Sequence, residues 1–157
     1  MKDARAQRAA RLETRAVYRQ ADALYASFSC PASSECCQLA RTGRQPWLWP
    51  SEWWVLEERL RADGREIHSR ADGACPLLTE SGRCSVYADR PFGCRTFFCE
   101  RARGDRREPL AAVNALQARL ERTSRNADPD AAPRPLLAWL SHLPHAGVGQ
   151  GEGDSPQ

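Results

Sequence analysis

Seven cysteines in a chain of 157 residues are the residues most able to do chemistry here. They fall in two groups: Cys30, Cys36 and Cys37, then Cys75, Cys84, Cys94 and Cys99. Thiolate is a soft ligand that selects zinc, copper(I) or iron–sulfur clusters over magnesium or calcium. Four thiolates complete a tetrahedral zinc site or serve the four irons of a cubane. Seven exceed the need of one mononuclear site, so either some are not ligands or the site is polynuclear. The spacing contains no pair of CxxC knuckles, as a zinc finger would, and it is not that of a ferredoxin. Adjacent residues reach one ion only with backbone strain. Of Cys36 and Cys37, one is therefore expected to ligate and the other to bridge, to bind a second metal or to pack in the core.

A disulfide framework fits poorly, because the cysteine count is odd. The first residues, Met1 to Ala16, are polar and Arg-rich and lack the apolar run of a secretory signal. A cytoplasmic, reducing setting is the expectation, and disulfides are disfavoured there. No apolar stretch approaches the ~18 residues of a membrane span. Net charge is +3. Arg5, Arg8, Arg11 and Arg15 recur at helical spacing, but acidic residues offset most of the arginines, so a nucleic-acid partner is not expected. His68, His142 and His145 lie outside the cysteine segments and read as surface residues. No Ser/His/Asp set, paired-carboxylate site or phosphate loop is evident. An enzyme reading would rest wholly on a cluster with an open coordination position.

The elements that must position these cysteines are mostly helices. Leu12, Val17, Ala21, Leu24 and Phe28 mark one amphipathic helix over residues 4–28. The segment from Cys30 to Pro50 reads as loop, with one helical turn after Cys36. Ser51 is a good N-cap for a second helix, which runs to Asp63 and stops at Gly64. Trp47, Trp49, Trp53 and Trp54 crowd beside the cysteine loop and are expected to form core. Two short apolar runs flank Glu80-Ser81-Gly82, so residues 75–87 read as a β-hairpin. Pro91 opens a short helix that carries Cys94 and extends towards Cys99. An exposed polar connection over 100–107 leads to a third helix, over 108–125. A short helix around Leu136–Leu143 docks on the core. Residues 146–157 are rich in Gly, Ser, Pro and acid and are expected to be a disordered tail. The fold class is thus mainly α with a small β-hairpin. It forms a single compact domain over 1–145, organised around a cysteine-rich metal site with its motif core at 30–99.

Two segments carry a resemblance. Cys30-Pro-Ala-Ser-Ser-Glu-Cys36-Cys37 and Cys84-Ser-Val-Tyr87-Ala-Asp-Arg90-Pro91-Phe-Gly-Cys94-Arg95 resemble the CxxCxxCC family of cysteine-cluster proteins. Cys75, Leu78 and Gly82 fit the upstream part of its second motif, and Glu52 fits its acidic helix start. The chain departs from the pattern at Ser33, where the family carries cysteine. The resemblance implies chelation of zinc or iron and supplies no reaction. It makes Cys30, Cys36, Cys37, Cys75, Cys84, Cys94 and Cys99 the candidate metal ligands, with Cys36, Cys84 and Cys94 foremost. Tyr87 is expected to pack between hairpin and helix, and Asp89 to cap the turn or pair with Arg90. Arg90 and Arg95 either stabilise thiolate charge or are simply surface or salt-bridging arginines. The expected function is a metal-binding protein holding an iron–sulfur cluster or zinc. The alternatives are an iron–sulfur enzyme or enzyme subunit and a thiol redox switch.

Overall fold

The computed structural model describes residues 3–30, 34–99, 104 and 106–143. The expected tail, Ser33 and His145 lie outside the described residues. Helix α1 (Ala4–Leu24) starts where the Asp3 side chain accepts the Arg5 N–H at 2.9 Å, the usual work of an N-cap aspartate. Ala10, Thr14, Val17, Tyr18 and Ala21 form its buried face. Leu12, expected inward, is 60% exposed. The helix stops short of Phe28, because Ala26 and Phe28 turn back onto Ala23 and Tyr25. Phe28 still packs: its ring and that of Phe98 both sit against Tyr25, at 4.9 and 5.0 Å. This aromatic trio ties the approach to Cys30 to the approach to Cys99.

After the short α2 (Leu39–Thr42) and β1 (Trp47–Leu48) comes α3 (Pro50–Asp63). Its N-cap is Trp49, with Pro50 in the first helical position, so Ser51 lies inside the helix rather than capping it. Indole has no acceptor to offer. The Glu52 carboxylate does the capping instead, taking the Trp49 N–H at 2.9 Å. Gly64 ends α3 at φ +61°, a left-handed conformation that costs glycine little. Ser51 is buried and paired with Ser124: the two hydroxyls are 2.8 Å apart, joining α3 to α5 (Leu110–Ala127).

α1 packs along both α3 and α5. Val55 faces the core made with Val17, Tyr18, Leu116 and Leu120. Trp53 and Leu56 face a second core with Leu48, Leu77, Val86 and Leu136. α3 is therefore apolar on two sides, as a central helix must be. Helix α6 (Leu136–Leu140) follows β2 (Arg134–Pro135), which pairs antiparallel with β1, Leu48 opposite Arg134. Trp139 stacks on Trp53 at 5.4 Å and donates to Leu48 O.

The class is as expected, mainly helical with one small antiparallel strand pair, but the pair joins residues distant in sequence. Where the hairpin was expected, Leu78 and Cys84 make a single antiparallel bridge. The Leu78 N–H turns back to Cys75 O, and Tyr87–Asp89 curls into a 3-10 turn, so no longer ladder can form. Helix α4 (Phe92–Arg95) carries Cys94 and ends before Cys99.

Candidate metal centre

Cys36 and Cys37 lie in a 3-10 turn, Glu35–Cys37, entered through Ser34 at φ 54°. Among the described residues Ser34 is the one non-glycine with positive φ, a conformation that costs an L-residue about 1–2 kcal/mol. Beyond it the two neighbouring thiols lie together: their sulfurs are 3.9 Å apart. Two thiolates bound at ~2.3 Å to one tetrahedral ion lie about 3.8 Å apart. The adjacency that looked awkward in the sequence therefore has the spacing of a shared ion.

The second segment is fastened directly to the first. The Cys75 N–H donates to Cys37 O at 2.7 Å, and Gly73 O accepts the Ala40 N–H at 3.2 Å. Cys30, Cys36, Cys37, Cys84 and Cys94 border one cavity of about 160 Å³, with Tyr87, Arg90, Phe97 and Phe98 also lining it. Cys75 is buried behind the 36–37 turn and interacts by charge with Cys36, Cys84 and Cys94. Cys99 stands apart. Its thiol donates to Glu35 Oε2 at 3.1 Å, beside a smaller cavity of about 20 Å³ that Cys30 and Cys36 also line. All seven are thiols rather than half-cystines. Among the described residues no three Cys, His, Asp or Glu side chains already stand in a metal-holding arrangement. The thiols border a common space without closing on one point.

Electrostatics separate the thiols. The hydrogen bond with Cys37 lowers Cys36 to about 7, and Arg90 acts in the same direction. The same bond, followed by burial, pushes Cys37 up. Burial, then the charges of Cys84 and Cys36, lifts Cys75 to about 11. Burial is also the main cause that raises Cys84 and Cys94, with Cys36 adding to both. Burial and mutual repulsion oppose the joint ionisation of these thiols, and a cation among them would favour it.

The two motif arginines differ in role. Arg90 lies 3.9 Å over the Tyr87 ring, donates to Tyr87 O and lines the cavity. Arg95 is 3% exposed and spends its donors on Arg90 O, Ala88 O and the Asp22 carboxylate. It is a buried cation salt-bridged to Asp22, the salt-bridging alternative rather than a group bonded to a thiol. Tyr87 is 53% exposed rather than packed between elements, and Asp89 is 3.8 Å from Arg15. Trp53 and Trp54 are core, whereas Trp47 is 61% exposed. Together with Trp49, Phe92 and Phe97, Trp47 walls an open cleft of about 810 Å³ that reaches Cys36 and Cys94. His68 pairs with Glu66, and the ring of His142 bonds Ala138 O, so neither joins the thiols.

Sequence reasoning did not anticipate the part Glu52 plays. It is 1% exposed, and Oε1 accepts both the Phe92 N–H at 2.8 Å and the Tyr18 hydroxyl at 3.3 Å. The signal for helix capping was present in Trp49-Pro50-Ser51-Glu52, but a contact reaching Phe92 has no local signature.

A helical scaffold that gathers cysteines from two separate segments around one cavity defines a thiolate-rich domain of the chelating class. Residues 29–110 match the model of the CxxCxxCC family, described as "Putative zinc- or iron-chelating domain", and the chain belongs to that family. Neither the curated proteins nor the solved structures compared with the chain gave a match.

Proposed function

We propose that the chain is a zinc-binding domain that holds its ion through thiolates drawn from Cys36, Cys37, Cys75, Cys84 and Cys94, with Cys30 at the rim and Cys99 outside. The observation that carries this reading is the 3.9 Å between the Cys36 and Cys37 sulfurs. Thiolates sharing one tetrahedral ion have that spacing, whereas in a cubane each thiolate takes a different iron. Bound zinc supplies the positive charge that lets the buried thiols ionise. The role we assign is binding, in the cytoplasm, for structural, sensing or trafficking purposes. The cleft that reaches Cys36 and Cys94 offers a route for the ion or for a donor or acceptor of it. Among the described residues no helix is long and apolar enough to cross a membrane.

Anaerobic purification followed by elemental analysis and an absorption spectrum tests the assignment. A colourless protein with about one zinc per chain is expected. A brown protein containing iron and sulfide would replace zinc by a cluster. The same sulfur spacing favours a second reading, a thiol switch. Cys36 and Cys37 would form a disulfide, giving two electrons and two protons to a peroxide, whose O–O bond breaks to leave two waters from hydrogen peroxide or one alcohol and one water from an alkyl hydroperoxide. Counting thiols in the metal-free protein before and after peroxide treatment checks this, with a loss of two expected.

A further inference from the structure

The opening amide of a helix has no partner within the helix, and in α4 that amide belongs to Phe92. It is taken by Glu52 Oε1 at 2.8 Å, from a residue on a different helix. Capping α3 needs only Oε2, which takes the Trp49 N–H, and a solvent-exposed glutamate does that work without loss. A carboxylate buried to 1% exposure pays a desolvation penalty that capping does not require. The second oxygen, bonded to Phe92, is what the burial serves. Arg95 holds the far end of α4 to Ala88 O, Arg90 O and Asp22. Cys94, between these two anchors, presents its thiol to the cysteine-lined cavity.

We propose that Glu52 is a positioning residue for the metal centre: by fixing the first amide of α4, it sets where the Cys94 thiolate stands relative to the thiolates of the 36–37 turn. The inference rests on the reading that Cys94 is a metal ligand. Groups that orient ligands from outside the coordination sphere typically change metal affinity by about 10–100-fold when removed.

Glu52→Gln is the direct test, because its amide can serve Phe92 or Trp49 as acceptor but turns a donor towards the other. Zn²⁺ affinity, measured by competition with a chromophoric chelator, is expected to fall by about 10–100-fold. The thiolate-to-metal absorption of the Co²⁺-loaded protein is expected to shift. Tyr18→Phe removes only the hydroxyl bond to the same oxygen and is expected to leave the Co²⁺ spectrum in place. Should Glu52→Gln fail to fold, Glu52→Asp carries the test, since the shorter arm keeps the helix cap and withdraws from Phe92. A lowered melting temperature with unchanged Zn²⁺ affinity and Co²⁺ spectrum would overturn the inference, because the carboxylate would then serve stability alone. Cys94→Ser separates the two readings. If it weakens metal binding while Glu52→Gln does not, the metal centre stands and the positioning role falls. If Cys94→Ser binds both ions as the wild type does, the ligand reading falls and the inference with it.

Discussion

Cys75 is the least exposed thiol, whereas Cys30 and Cys36 are exposed and Cys99 is engaged with Glu35. These surroundings rank the cysteines differently from the motifs, which put Cys36, Cys84 and Cys94 foremost. Cys75→Ser is expected to lose most of the bound metal, and Cys99→Ser to keep it. Elemental analysis of the two purified variants decides this, and equal retention would remove Cys75 from the site. Glu52 belongs to the same scale. Burial raises its carboxyl from 4.5 to about 7, against the opposing pull of the Phe92 and Trp49 amides, Tyr18 and Arg95. The folded state therefore holds this proton more tightly than the unfolded chain does. The associated stability is fully present below about pH 4.5 and is lost as pH rises to about 7. Denaturant titrations of the metal-free protein should show that decline over this window, and Glu52→Gln should flatten it. An identical pH slope in the variant would contradict the assignment.

Helices carry the scaffold, but apart from Cys94 on α4 the thiols lie on the connections between the long helices, and these are tied down by a few backbone bonds. The loop after α3 reaches α2 through Gly73, which accepts from Ala40, and the 36–37 turn through Cys75. Gly73 has φ +68°, and a Cβ there would lie 2.6 Å from the Ala40 Cβ on α2. Gly73→Ala thus combines left-handed strain with a clash against a neighbouring helix, and should cost roughly 2–5 kcal/mol. Because Cys75 follows so closely, metal affinity should fall as well. Urea unfolding together with metal titration checks both, and a variant as stable as the wild type would show that the two segments are not packed as described. The residues expected to form a hairpin show the same dependence on local bonds. The Thr79 hydroxyl and carbonyl occupy the turn at Gly82 and Arg83. Turns at Cys75–Leu78 and Tyr87–Asp89 bend the chain away on either side, leaving one bridge where a ladder was foreseen.

Over the whole molecule, a bound ion would add a further tie between two segments that already meet through backbone bonds and the core around Leu39, Leu77 and Val86. α1, α3 and α5 share apolar surface, while the residues from Ser34 to Gln45 hold only short helical turns and those from Arg65 to Pro91 include little regular structure. Metal binding to the folded state alone adds about 4 kcal/mol when free metal is a thousandfold above the dissociation constant. For a chain of this size that corresponds to roughly 8–16 °C in melting temperature. Chelation followed by calorimetry should therefore lower the transition by this order, and restoring zinc should reverse it. Coincident melting of the metal-free and metal-loaded forms would leave the cysteines without a structural role.

By itself, the sequence determined the helical class, the places of the long helices to within a few residues and the chelating character of the cysteine segments. Those features are local. The 3.6-residue apolar period marks α1 and α5, Pro50 and Gly64 bracket α3, and seven cysteines in two groups point to soft-metal chemistry. Only the tertiary structure decided which cysteines share a cavity and that Cys99 turns to Glu35. It also decided that β1 pairs with β2 across most of the chain, and that Arg95 and Glu52 hold the two ends of α4. Each of these is a contact between residues far apart in sequence. Its formation depends on how α1, α3 and α5 pack, and packing of that kind leaves no periodic trace in the chain.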